Sequence, residues 1–164
     1  GIEFDGVFYI DDYFTIKPNI TFSSNKNNDY LTQFDGSLQN FGKTDISFSP
    51  NLIFGNSIDF KMNDKTLLFF NTKYVGKQYM SNTNVESSVL ASYLVNDLGI
   101  NHSFSIPGFS DDSELKLLIN NLFNQKYESY GGHYFYDIDN KTYSGAYFYP
   151  MAEINFLIGL DFNF

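Results

Sequence analysis

Apolar and polar residues alternate along most of this chain, most cleanly at its end. From Met151 onward, Ala152, Ile154, Phe156, Ile158, Leu160, Phe162 and Phe164 hold one parity. Glu153, Asn155, Leu157, Gly159, Asp161 and Asn163 hold the other. A period of two places each set on its own face of a β-strand. One face is wholly apolar, and the other is polar except for Leu157. The segment is longer than the roughly five or six residues usual in a soluble sheet. It reaches the roughly 9–11 residues with which a tilted strand crosses a bilayer. The pattern predicts a transmembrane strand.

Seven such strands are predicted, over residues 2–10, 15–24, 46–61, 66–79, 89–106, 114–127 and 147–164. In the third, Leu52, Phe54, Ile58 and Phe60 oppose Gly55, Ser57, Asp59 and Lys61. In the fourth, Leu68, Phe70, Thr72 and Tyr74 oppose Asn71, Lys73 and Lys77. The sixth is less clean, with Leu118 on its polar parity. The fifth changes parity between Val95 and Leu98, which predicts a β-bulge near Asn96-Asp97.

The connections alternate in length. Asp11-Asp12, Asn63-Asp64 and residues 107–112 are short and turn-like, whereas residues 25–45, 80–88 and 128–146 are long and polar. Short turns at one end and long loops at the other are expected of an outer-membrane barrel, with the short ones in the periplasm. Lys61, Lys73, Lys116, Glu153 and Asp161 all keep to the polar parity, where they avoid the cost of about 2–4 kcal/mol that a lysine meets facing lipid at the midplane. Tyr74, Tyr79, Tyr127, Tyr130, Tyr147 and Tyr149 cluster near the long loops, where an aromatic girdle would sit. An open sheet in lipid leaves unsatisfied edge groups at several kcal/mol each. The expected fold is therefore all-β: a transmembrane antiparallel β-barrel, with these seven as the C-terminal strands of a larger one.

Composition narrows the function. The 164 residues carry a net charge of −9, and all ten basic residues are scattered lysines, which argues against nucleic acid as a partner. There is no cysteine, hence no disulfide framework or thiolate metal site. No run of residues is apolar enough for a transmembrane helix, and Gly1-Ile-Glu-Phe-Asp-Gly6 opens in a strand-like pattern rather than that of a signal peptide. Gly-x-Ser-x-Gly, His-Glu-x-x-His and phosphate-loop patterns are missing, so neither catalysis nor a cofactor is expected. Asp137-Ile-Asp-Asn140 opens like a calcium loop, but Thr142 and Phe148 stand where glycine and glutamate are needed, so it reads as a turn. Tyr130, His133, Tyr134 and Tyr136, within one aromatic loop, are candidate ligand contacts; the alternative is a loop packed on its own aromatics. His102 falls on the apolar parity of its strand, in an interfacial position.

Several stretches resemble, in order, the C-terminal third of a TonB-dependent outer-membrane receptor of the kind common in Bacteroidetes. They are Gly1-Ile-Glu-Phe-Asp-Gly6, the segment from Lys17 to Lys26, Phe48-Ser-Pro-Asn-Leu52, Lys73-Tyr-Val-Gly-Lys-Gln-Tyr79 with Ser81-Asn-Thr83, Asn121-Leu-Phe-Asn-Gln-Lys-Tyr127 and Tyr149-Pro-Met-Ala152. Gly159, Phe162 and Phe164 resemble the terminal signal read by the barrel-assembly machinery, with Leu157 departing from its polar first position. The resemblance implies that residues 1–164 are the last strands of a 22-stranded, plugged barrel in the cell outer membrane, with the plug outside this chain. It implies import of a scarce nutrient such as an iron chelate, cobalamin or an oligosaccharide, driven through TonB. The implied partners are the remaining strands, the plug, the TonB complex, the assembly machinery, outer-membrane lipid and a surface lipoprotein. The rival readings are a smaller outer-membrane barrel for adhesion or structure, a soluble ligand-binding β-protein, and a barrel hydrolase using His102 with a nearby serine.

Overall fold

The computed structural model describes residues 1–163, and Phe164 lies outside the described residues. The first strands are β1 (Ile2–Asp5), β2 (Phe8–Tyr9), β3 (Phe14–Phe22), β4 (Lys26–Asn27), β5 (Leu31–Phe34), β6 (Ser37–Asn40) and β7 (Thr44–Asp45). Then come β8 (Leu52–Asn63), β9 (Thr66–Val75), β10 (Gln78–Tyr79), a single 3₁₀ turn over Glu86–Ser88, and β11 (Val89–Leu90). The last are β12 (Tyr93–Ile106), β13 (Ser110–Asn120), β14 (Glu128–Ile138), β15 (Lys141–Pro150) and β16 (Asn155–Asn163).

An eight-stranded antiparallel sheet runs β1-β3-β8-β9-β12-β13-β16, with β2 also on β3. β1 and β2 are one strand interrupted at Gly6-Val7. Gly6 N–H donates to Pro18 O at 3.1 Å. In an antiparallel pair the residue that accepts also donates back, and Pro18 has no N–H to give. The ladder therefore breaks opposite it. The remaining strands form short hairpins outside the sheet: β4-β7, β5-β6, β10-β11 and β14-β15.

The register gives the sheet two unlike faces. Row by row, Phe14 opposes Phe60, Ile16 opposes Ile58, and Ile20 opposes Phe54. Across the later strands, Phe70, Leu98, Ile119 and Phe156 form one apolar row, and Leu68, Ile100, Leu117 and Ile158 form the next. Every charged residue with a register partner in this sheet, Lys17, Asp59, Lys73, Asp97, Lys116 and Asp161 among them, lies on the opposite face. Nothing among the described residues covers the apolar face. Phe156 and Ile158 are 65% and 74% exposed, and the buried apolar side chains among the described residues are Val75, Met80 and Leu90 alone.

The predicted bulge at Asn96-Asp97 is absent. β12 pairs with β9 without a slip from Tyr93 to His102, and its irregularity falls between Phe104 and Ile106. Val95 and Asn96 are simply out of pattern: Asn96 sits on the apolar face, 7% exposed, opposite Thr72. Thr72 Oγ1 donates to Asn96 Oδ1 at 2.9 Å, so the amide oxygen is satisfied without water.

Several boundaries also move. Residues 147–150 belong to β15 rather than to the terminal strand, and residues 46–51, 76–79, 89–92 and 121–127 lie outside the sheet strands they were expected to extend. Tyr130, Tyr147 and Tyr149 consequently stand on an outer hairpin rather than on the sheet strands.

Replacing Thr72 by Val strips Asn96 of its donor and should destabilise the protein by about 1–3 kcal/mol, whereas Thr72→Val with Asn96→Leu should recover most of the loss. The unfolding midpoint of the folded band on semi-native gels measures both. A double variant as weak as the single one would show that the pair is not the source of the effect.

Candidate functional site

The sheet connections over residues 10–13, 64–65 and 107–109 are tight. Asp11 shapes the first by accepting from the N–H groups of Tyr13 (2.8 Å) and Phe14 (2.7 Å). Residues 23–51, 76–92 and 121–154 make the long connections. Because the strands are antiparallel, the long connections all emerge at the other end. There they lace together. Asp45 N–H donates to Asn84 Oδ1 and Asn84 Nδ2 to Asp45 Oδ2, both at 3.0 Å. Ser47 N–H donates to Asn82 Oδ1 at 2.7 Å.

The largest outer element is the β14-β15 hairpin. Its turn, Asp139-Asn140, has φ of 50° and 60°, as a two-residue hairpin turn of the primed type requires. The Asp137-Asn140 stretch is thus the turn expected. Alternation divides the hairpin into two faces. Tyr130, Gly132, Tyr134 and Tyr136 oppose Tyr149, Tyr147, Gly145 and Tyr143 in register. The two glycines make room for rings. A Cβ on Gly132 would lie 2.3 Å from Tyr147 Cζ, and one on Gly145 would lie 2.5 Å from Tyr134 Cζ. Each tyrosine therefore lies across the backbone of the facing strand. Tyr134–Tyr136, Tyr136–Tyr143 and Tyr130–Tyr149 ring centroids stand 6.2, 5.7 and 5.9 Å apart, at interplanar angles of 30°, 19° and 13°. The result is an aromatic pavement in two groups, Tyr134–Tyr136–Tyr143 and Tyr130–Tyr149 with Tyr147 edge-on to Tyr149 at 5.6 Å and Phe48 stacked on Tyr130 at 5.3 Å, whose tyrosine rings stay between 42% and 55% exposed.

His133 is on the reverse face. Its Nε2 lies 3.0 Å from Ser87 Oγ, and its ring packs edge-on against Phe135 at 4.7 Å. Its Nδ1 is buried with no partner, and desolvation holds its pKa below the ordinary histidine value. On the same face Gly131 leaves space for Met80, whose Sδ sits 2.6 Å from where a Cβ would be. The structure thus brings Tyr130, Tyr134 and Tyr136 together and separates His133 from them. Sequence reasoning omitted Tyr143 from this surface and assigned Tyr147 and Tyr149 to a girdle; their alternation with Gly145 was the available signal.

A second hairpin, β5-β6, meets the first at its tip. Its turn, Asp35-Gly36, also has positive φ (49° and 68°), and the Asp-Gly pair is a strong short-range hairpin signal. Thr142 N–H donates to Asp35 Oδ1 (2.7 Å), and Asp35 N–H donates to Thr142 Oγ1 (2.6 Å). Thr142 Oγ1–H in turn donates to Asp137 Oδ1 at 2.6 Å. Phe34 packs edge-on against Phe135 at 5.8 Å. The two hairpins form a clasp.

The charged face of the sheet is largely self-neutralised. Lys17 pairs with Asp59, and Lys116 with both Asp161 and Glu114. One row departs from this: Phe69, Gly99, Leu118 and Leu157 follow in register across four neighbouring strands, β9, β12, β13 and β16. A Cβ on Gly99 would lie 2.0 Å from Phe69 Cζ, so the ring occupies the place of the missing side chain. The out-of-pattern Leu118 and Leu157 are therefore neighbours in one apolar stripe.

His102 lies on the apolar face near the tight turns, its Nδ1 2.9 Å from Thr66 Oγ1. Gly159 faces Lys116, and Phe162 packs edge-on against Phe109 at 5.6 Å. Phe164, the third residue of the assembly signal, is outside the described residues. No group of three or more His, Cys, Asp or Glu that could hold a metal occurs among the described residues.

No family model matches the sequence, and no curated protein matches it. Solved structures do resemble the fold. The siderophore receptor PiuA from Acinetobacter baumannii superimposes over 98% of this chain and 21% of its own, with TM-score 0.69 and 17% identity. The ferric citrate transporter FecA matches over 91% of this chain and 21% of its own, with TM-score 0.61 and 16% identity. A variant of the ferric enterobactin receptor PfeA from Pseudomonas aeruginosa matches over 97% and 22%, with TM-score 0.54 and 16% identity. The chain thus spans about a fifth of these receptors, not the third its wording suggested. At such identities it is the fold that is shared. The sheet has the fold of an antiparallel transmembrane barrel-wall segment of the kind found in these receptors, with one apolar face and one charged face.

Two outcomes follow. Thr142→Val, which removes the Oγ1 bonds to Asp35 N–H and Asp137 while leaving Thr142 N–H on Asp35 Oδ1, should raise the rate of trypsin cleavage after exposed Lys141 by about tenfold; an unchanged rate would mean the tips are held otherwise. Because the folded pKa of His133 is lowered, the docking it supports is complete above its unfolded value of about 6.5 and fades as pH falls through the lower folded value. Amide exchange over residues 131–135, corrected for intrinsic pH dependence, should accelerate on acidification in the native protein but not in His133→Gln. Equal profiles would remove His133 from the account.

Proposed function

We propose that the chain is the C-terminal wall of a TonB-dependent active importer in the cell outer membrane. The observation that carries this is the uncovered apolar face, with every register-paired charge on the opposite side. A soluble sheet would bury its apolar side chains in a core. In lipid the same face is already in its solvent. The structural likeness to siderophore and ferric-chelate receptors along nearly the whole chain supports the same reading.

On this reading the protein transports rather than catalyses. The wall is completed by further strands to a 22-stranded barrel, and a plug fills the lumen. The stripe of Phe69, Leu118 and Leu157 offers the plug an apolar seat between charged rims. TonB supplies energy through parts outside this chain, and the phrases around Lys73–Tyr79 and Asn121–Tyr127 favour the Bacteroidetes type, which works with a surface lipoprotein. Gly159, Phe162 and Phe164 would be read by the barrel-assembly machinery. Tyr130, Tyr134 and Tyr136 would meet the ligand, with His133 behind them as a support.

An antibody raised against residues 128–146 tests this on outer-membrane fractions of the source organism. A heat-modifiable band much heavier than 18.9 kDa is expected. A band at the chain's own mass would favour the smaller barrel, and signal confined to the soluble fraction would overturn the membrane reading.

A further inference from the structure

The three long connections are joined in pairs, and every pair is joined. Residues 23–51 meet residues 76–92 through the Asp45–Asn84 and Ser47–Asn82 bonds, and Phe48 N–H donates to Tyr79 O at 2.8 Å. Residues 76–92 meet residues 121–154 where Ser87 reaches His133 and Met80 fills the space beside Gly131. The 3₁₀ turn there packs on both strands of the β14-β15 hairpin. Residues 23–51 meet residues 121–154 through the Asp35–Thr142 clasp, the Phe34–Phe135 contact and the stacking of Phe48 on Tyr130. Phe48 thus belongs to two joints at once. Its φ of 54° is one that a bulky residue holds only where its surroundings fix it.

Burial gathers at the same junction. Two of the three buried apolar side chains among the described residues, Met80 and Leu90, lie in the middle connection, which also buries Thr83 and Ser88. The third, Val75, ends β9 at the foot of that connection. The interior of this chain is therefore made by its loops rather than by its sheet.

A closed triangle of joints opens differently from a chain of them. For one connection to leave, it must break its joints to both others. The pair left behind keeps one joint of three, and departure of the middle connection also exposes Met80 and Leu90. Partly open states lose most of the contacts while the entropy cost of ordering the remaining loops persists. Opening is then all or none. We infer that the three connections form one cooperative unit, which opens and closes as a single body at one end of the sheet. Whatever holds one of them closed then protects all three. The inference is independent of the importer reading, since it needs only the loops and their joints.

Amide exchange of the full-length protein in detergent tests it, with one joint weakened at a time and the connection remote from that joint read. Asn84→Gly deletes the amide while suiting the φ of 57° at that position. Ser87→Ala and Thr142→Val weaken the other two joints. Each variant should accelerate exchange about fivefold to tenfold, by factors equal within about twofold, at residues 44–48, 80–88 and 131–135 alike. Amides at residues 68–72 and 98–102 of the sheet should keep their parent rates. Acceleration confined to the two connections that the altered joint links overturns the inference. So does acceleration that spreads into the sheet, or none in any connection. Recovery of the protein in the soluble fraction, which would sink the importer reading, leaves these expected rates as they are.

Discussion

Everything in this structure follows from the demand that backbone N–H and C=O groups be paired where there is no water to replace the partner. The ladder satisfies them strand by strand, and its period of two then decides which side chains meet hydrocarbon and which meet the lumen. Faults in the pattern are handled locally. Pro18, unable to donate, stands opposite the gap between β1 and β2, and Asn96, forced onto the apolar face, finds Thr72. Neither fault shifts the register of its neighbours on β8 or β9.

The outer loops obey a different rule. Away from the sheet, alternation builds a hairpin with one face for packing and one for display. Gly131 admits Met80 on the packed side, while Gly132 and Gly145 admit tyrosine rings on the displayed side. Because the packed side holds the hairpin, the displayed rings need bury nothing to keep their places. That division is why the pavement can be held in place and still half exposed.

Much of the wall was legible in the sequence because period-two alternation is a strong signal over long segments. All the sheet strands, the alternation of tight and long connections, and the burden of charge on one parity could be read directly. The misreadings have physical causes. A polar residue on the apolar face looks like a slip in phase, so Asn96 suggested a bulge. Tyr147 and Tyr149 continue the strand-like texture before β16, so they were joined to it. The hairpins were hidden in polar stretches, although Asp35-Gly36 announced one turn. For the candidate site, sequence proximity grouped His133 with Tyr134, whereas adjacent residues on a strand point to opposite sides. The clasp was beyond reach, since its partners are separated by 107 positions.

That separation has a consequence for the order in which the molecule assembles. Asp35 and Thr142 can meet only after the intervening strands have found their neighbours, because loop closure over such a length yields nothing until the wall brings the ends together. The clasp is therefore a late contact, formed after the wall and lost before it. It can open and reseal as a local unit while the lipid-embedded strands stay intact. The two outer hairpins thus form one unit whose closing contact depends on the wall beneath it, while the wall does not depend on that contact.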